Sequence, residues 1–69
     1  MTRLEQLNAK ALEVTGGDRY LLSMAVAKRV QQLQNGARPL IDADTKKEKL
    51  TNIAIEEIAS GLIDIEYRP

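Results

Sequence analysis

The segment that most constrains the fold is residues 18–36, DRYLLSMAVAKRVQQLQNG, which predicts one long helix with a marked start and end. The side chain of Asp18 can accept a hydrogen bond from a backbone N–H of the first helical turn. Gly36, which follows Asn35, suits the left-handed conformation in which helices commonly end. The sequence therefore predicts a central helix with both of its boundaries.

The apolar side chains of this central helix lie on more than one side. At about 100° per residue, one stripe follows the whole helix, and a second group lies on another side of its first half. The stripe consists of Leu22, Val26, Val30 and Leu33, and the second group of Tyr20, Met24 and Ala27. A chain of 69 residues has little material with which to cover both sides. We therefore expect a binding partner to cover one of them.

Two capping boxes predict the starts of two further helices. Thr2 with Glu5, and Thr45 with Glu48, each place a threonine three residues before a glutamate. The predicted first helix has its apolar stripe at Leu4, Leu7, Ala11 and Val14, and the third helix at Leu50, Ala54 and Ile58. The sequence predicts an all-α fold, a small three-helix orthogonal domain over residues 1–69 with a short extended C-terminal tail.

The loop after the central helix carries the apolar run Pro39-Leu40-Ile41 within polar surroundings. Two interpretations stay open for this run. Leu40 and Ile41 can anchor the loop to the core with both side chains, or the loop can be a strap that lies against a partner.

The composition argues against independent catalysis and against metal or cofactor binding. The chain contains neither Cys nor His, so it lacks thiolate ligands and the commonest general base. Glu56 and Glu57 are adjacent on a predicted helix, diverge by about 100° and cannot form a catalytic pair on one face. Asp42 and Asp44 lack the glycine and the terminal glutamate of a calcium loop. We therefore expect no active site, no metal site and no cofactor.

Charge and hydropathy argue against a nucleic-acid-binding protein, a membrane protein and a secreted protein. Ten basic and ten acidic residues give a formal net charge of zero, whereas nucleic-acid binders usually carry a basic excess. No apolar run approaches the ~20 residues that cross a bilayer, and the N-terminus lacks the apolar core of a signal peptide. These features indicate a small cytoplasmic helical module that binds a partner, and they do not specify what the partner is.

The order of five short segments resembles the omega subunit of bacterial RNA polymerase. Residues 19–21 (RYL) open the central helix, which continues with residues 25–29 (AVAKR). Residues 39–41 (PLI) follow in a loop, and residues 49–58 (KLTNIAIEEI) run into residues 61–63 (GLI). In that family, a helix begins with arginine and an aromatic residue, and a later helix ends in a similar G-L-I segment.

The resemblance implies a non-catalytic subunit that clamps the largest polymerase subunit, beta-prime, and helps it to fold and join the core enzyme of beta, beta-prime and two alpha subunits. DNA would be contacted only indirectly, through the complex. The expected contact residues are apolar, with a basic rim. They are Tyr20, Met24, Leu50, Ala54 and Ile58, with Arg19, Lys28 and Arg29 at the rim. The start Thr2-Arg3-Leu4 resembles that of members that bind ppGpp, so Arg3 is a candidate phosphate contact.

Two other functions are compatible with a small helical chain. A helix-turn-helix regulator would read DNA with a basic exposed helix, although the neutral charge balance and the glutamine-rich end of the central helix do not favour it. A self-associating helical adaptor would bury its second apolar side in another copy of itself.

Overall fold

The computed structural model describes residues 1–63, which form three helices in chain order. They are α1 (Arg3–Val14), α2 (Arg19–Gln34) and α3 (Leu50–Ala59). The predicted all-α fold is confirmed, and residues 1–63 contain no strand. The predicted extended tail falls mainly on residues 64–69, which lie outside the described residues.

The predicted boundaries of the first two helices are confirmed by their caps. The hydroxyl oxygen of Thr2 accepts a hydrogen bond from the Glu5 N–H (3.2 Å), and an Asp18 carboxylate oxygen accepts one from the Leu21 N–H (3.0 Å). Gly36 adopts a φ of +98°, the left-handed conformation expected after a helix. Local sequence signals therefore decide where α1 begins and where α2 begins and ends.

The predicted start of the third helix at Thr45 is wrong. The chain instead makes a single turn around Asp44, whose carboxylate accepts from the Lys46 N–H (2.9 Å) and whose carbonyl accepts from the Glu48 N–H (2.9 Å). Glu48 reaches back and accepts from the Asp44 N–H (3.2 Å). The aspartate thus takes the capping role predicted for Thr45, one residue earlier. The helix itself begins only at Leu50, after Lys49 in extended conformation.

The third helix packs against both of the others, whereas α1 and α2 make few contacts with each other. Between α1 and α3 lies a cluster of Ala11, Ile58 and Ala59. Between α2 and α3 lies a second cluster of Leu33, Ile53 and Ala54. Burying an isoleucine side chain contributes about 1.5–3 kcal/mol, so the two fully buried isoleucines of α3, Ile53 and Ile58, are major sources of stability. The core is therefore organised around α3.

Candidate functional site

One side of the first half of α2 stays exposed although it is apolar. We call Tyr20, Met24 and Ala27 the outer face of α2. Tyr20 is 75% exposed and Met24 is 53% exposed, and Ala27 is also exposed. The sequence left open which apolar side of the helix faces outward. The structure shows that it is this one, because the stripe of Leu22, Val26, Val30 and Leu33 faces the core.

An apolar groove of about 420 Å³ lies beside the outer face. Its walls come from all three helices, and Ala27 belongs both to the groove and to the outer face. The groove is lined by Asn8, Leu22, Ser23, Val26, Ala27, Val30, Thr51 and Ile55. Together, the groove and the outer face form a continuous surface on α2 that a partner could cover.

The second half of α2 contains a buried ion pair with α3. The guanidinium of Arg29 donates to both carboxylate oxygens of Glu57, from Nε to Oε1 (2.9 Å) and from Nη2 to Oε2 (2.8 Å). Glu57 is fully buried, and Arg29 is nearly so. The guanidinium also donates to the Gln32 side chain (3.1 Å) and to the carbonyl of Arg38 (3.1 Å). Burying a charged side chain costs much free energy unless the charge is paired and hydrogen-bonded, and both conditions are met here.

The pair favours its own charged state. Burial raises the cost of ionising Glu57, but the hydrogen bonds from Arg29 and from the Leu40 N–H outweigh it and lower the pKa of this carboxyl. The hydrogen bond to Glu57 likewise raises the pKa of the Arg29 guanidinium, against the effect of burial. At neutral pH the two groups therefore form a charged pair.

The ion pair also fixes the loop that follows α2. The Arg38 carbonyl accepts from Arg29, and the Leu40 N–H donates to Glu57 Oε2 (2.8 Å), so the backbone is held on both sides of Pro39. Ile41 packs against the cluster between α2 and α3, but the Leu40 side chain is 54% exposed. The interpretation in which both apolar side chains anchor the loop is therefore wrong for Leu40. Its backbone, not its side chain, provides the second anchor.

The structure separates the predicted contact residues into exposed and buried groups. Arg19 and Lys28 are exposed, and Leu50 is half-buried against the cluster between α2 and α3. Ala54 and Ile58 expose no surface at all, since they are the centre of the core. In this conformation neither can contact a partner. Arg29, expected at the rim of a partner contact, pairs instead with Glu57 and with the Arg38 carbonyl of its own chain.

The candidate phosphate-binding residue lies on another surface. Arg3 is exposed at the start of α1, and its guanidinium forms an ion pair with Glu56 of α3. A phosphate group would have to compete with that carboxylate for Arg3. Glu56 and Glu57 thus have separate partners, in agreement with the predicted divergence of adjacent helical residues.

Sequence reasoning missed the role of Glu57. The sequence does contain a signal for this role. Glu57 follows Ala54 by three residues and Ile53 by four, so it lies on the apolar side of α3, where a carboxylate is buried and needs a partner. Within residues 1–63, no helix is long and apolar enough to span a bilayer, and no cluster of acidic side chains is arranged to hold a metal ion.

Comparison with known proteins identifies relatives over most of the chain. The family described as RNA polymerase Rpb6 matches residues 15–65. That stretch includes the outer face of α2, the ion pair and the loop, but not Arg3. No solved structure shows a significant match.

Individual relatives carry one common description. The chain is 58% identical to the DNA-directed RNA polymerase subunit omega of a Nitratiruptor species, over 93% of this chain and 91% of that protein. It is 56% identical to the omega subunit of Campylobacter jejuni, over 93% of this chain and 86% of the relative. For the omega subunit of Nautilia profundicola the identity is 55%, over 93% and 96%.

Proposed function

Because the chain belongs to the family of DNA-directed RNA polymerase omega subunits, we propose that it is a non-catalytic polymerase subunit that clamps the largest subunit, beta-prime. In this role it promotes the folding of beta-prime and its assembly into the core enzyme in the cytoplasm. The family relationship supports the polymerase role, and the exposed outer face of α2 carries the proposal that the role is one of binding.

The outer face has the character of a protein-binding surface. Tyr20 and Met24 are large side chains on a rigid helix, and their exposure costs free energy unless a partner covers them. Tyrosine and methionine are enriched at protein interfaces. The exposed cations Arg19 and Lys28 can pair with acidic groups at the rim. Among the predicted contact residues we therefore retain these four and assign Ala54 and Ile58 to the core.

The proposal is tested by co-expressing the chain with beta-prime from the same organism and measuring complex formation by size-exclusion chromatography and calorimetry. We expect a one-to-one complex, and we expect the double substitution of Tyr20 and Met24 to serine to weaken it at least tenfold. Leu4→Ser is the matched control, because Leu4 is also exposed but lies on α1. Normal binding by the double variant would contradict the assignment of this face.

A direct assay of assembly addresses the second half of the proposal. Refolding of beta-prime in the presence of the beta and alpha subunits, with and without the chain, should show a higher yield of active core enzyme when the chain is present. If the purified chain instead sediments as a stable homodimer and does not bind beta-prime, the self-associating adaptor is the correct alternative. A salt-dependent gel shift with DNA would favour the regulator.

Contact of Arg3 with ppGpp stays a prediction. Because Arg3 pairs with Glu56 in this structure, Glu56→Ala should free the guanidinium and strengthen the binding of ppGpp to the assembled polymerase if the prediction is correct. Binding that does not respond to Arg3→Ala would contradict it.

A further inference from the structure

The Arg29–Glu57 pair is a costly way to join two helices. Removing two charges from water carries a large penalty, and well-packed apolar side chains of similar volume often stabilise a protein as well or better. The two hydrophobic clusters already join α3 to the other helices. The pair does one thing that apolar side chains cannot do, which is to provide hydrogen-bonding partners for backbone groups of the loop.

Those backbone groups lie on either side of Pro39. Arg29 donates to the carbonyl of Arg38, and Glu57 accepts from the N–H of Leu40. Proline itself restricts the backbone between these two points. A loop of irregular structure is thereby held in one conformation by a charged pair at the centre of the protein.

The result of this conformation is the display of one apolar side chain. Ile41 faces the core and Leu40 faces outward, with the exposed charged residues Arg38 and Asp42 nearby in the loop. An exposed apolar side chain carried on a fixed backbone can enter the apolar core of an interface, and the charged residues beside it in the loop can then contribute to the polar rim. Fixing the backbone in advance lowers the entropy that is lost on binding.

We propose that Leu40 is an anchor that inserts into a leucine-sized apolar recess of the large polymerase subunit, and that Arg29 and Glu57 are positioning residues for it. This inference rests on the proposed function and adds to it a second contact, which is separate in sequence from the outer face of α2.

The anchor is tested in the full-length chain by substituting, one at a time, three leucines that are exposed among residues 1–63. Leu40, Leu62 and Leu4 are 54%, 47% and 41% exposed, so Leu→Ser at each removes a similar apolar surface with little effect on folding. We expect Leu40→Ser to weaken binding to beta-prime at least tenfold, and the other two to change it less than twofold. Equal effects at all three positions, or no effect at Leu40, would overturn the proposal.

The positioning role is tested with the double variant Arg29→Met, Glu57→Leu, which replaces the pair by apolar side chains of similar size. We expect a folded protein in which amide exchange at Leu40 is at least tenfold faster and binding is weakened as much as by Leu40→Ser. A purely structural pair would leave the affinity of the folded variant unchanged, and that result would overturn the positioning role.

A second variant decides the question if the double variant does not fold. Pro39→Gly loosens the loop without altering the core, and it should weaken binding about twofold to fivefold because more conformational freedom must be lost. Unchanged affinity would overturn the positioning role here as well. Failure of the wild-type chain to bind beta-prime would refute the proposed function itself, whereas normal wild-type binding with an insensitive Leu40 would refute only this inference.

Discussion

In α2, the more apolar half is not the more buried one, if the helix is divided into residues 19–27 and 28–34. The first half is the more apolar, yet it exposes Tyr20 and Met24, whereas the polar second half buries Arg29 beside Leu33. The difference comes from angular position. Arg29 lies three residues after Val26 and four before Leu33, on the stripe that faces α3, whereas Tyr20 and Met24 lie on the opposite side. Whether a residue of α2 is buried is therefore decided by the side of the helix on which it lies. The apolar residues on the outward side of the first half are consequently available for binding a partner.

The largest effect should come from breaking the buried pair in the second half. Glu57→Ala leaves the Arg29 charge buried without its partner, which costs about 3–5 kcal/mol. Urea unfolding followed by circular dichroism measures the loss, and in a chain of this size it is enough to unfold most of the protein. The apolar double variant described above should recover much of the stability. If Glu57→Ala lowers the free energy of unfolding by less than about 1 kcal/mol, the ion pair is not what stabilises the second half of α2.

Low pH should also reduce the stability that the Arg29–Glu57 pair gives to the second half of α2, without any mutation. Because the pKa of Glu57 is lowered in the folded protein, the unfolded chain takes up the proton more readily. The contribution of this group is therefore fully present above the ordinary glutamate pKa of 4.5 and is lost as the pH falls through the lower folded value. Thermal unfolding between neutral and strongly acidic pH measures this. The apolar double variant should lose less stability over the same range, and parallel curves would contradict the assignment.

The start of the first half depends on one cap. Asp18→Ala removes the side-chain acceptor of the Leu21 N–H and should cost about 1 kcal/mol, with a range of about 0.5–2 kcal/mol. Thermal denaturation is sufficient to detect the shift, and Asp18→Asn, which keeps the acceptor, is the control. An equal loss in both variants would point to the charge of Asp18 and not to the cap.

The smallest change in stability should follow from substitutions on the outer face. Tyr20→Ser and Met24→Ser remove exposed surface that contributes little to the core, so each should change the free energy of unfolding by less than about 0.5 kcal/mol. The same variants are expected to lose affinity for beta-prime. Stability that falls by more than about 1 kcal/mol would mean that the first half is covered by its own chain in solution.

Much of the fold could be predicted because its signals are local. The caps at Thr2 and Asp18 and the glycine after α2 act within a few residues, and the inward stripe follows from helical periodicity. The start of α3 could not be predicted in this way, because the turn that Asp44 caps does not continue into the helix, and α3 begins at Leu50 after Lys49, whose side chain makes no capping hydrogen bond. For the candidate site, helical periodicity separates the outer face from the core stripe as a second apolar group, and the structure exposes that group.

The remaining part of the site depends on contacts between distant residues. Arg29 and Glu57 are 28 positions apart, and Leu40 is 17 positions from Glu57. Nothing in the sequence pairs these three residues until α2 and α3 are docked. For the same reason the sequence predicts Arg29 at a partner interface, and the apolar character of Ala54 and Ile58 does not distinguish them from contact residues.

The central position of α3 has a consequence for how the protein is made. During synthesis α1 and α2 leave the ribosome first, but they contact each other little, and the helix that joins them is the last of the three to emerge. The nascent chain therefore cannot complete its core until α3 has left the ribosome. Folding should accordingly occur in one step from that moment, and chains that end prematurely before α3 should be recognised by proteases as unfolded.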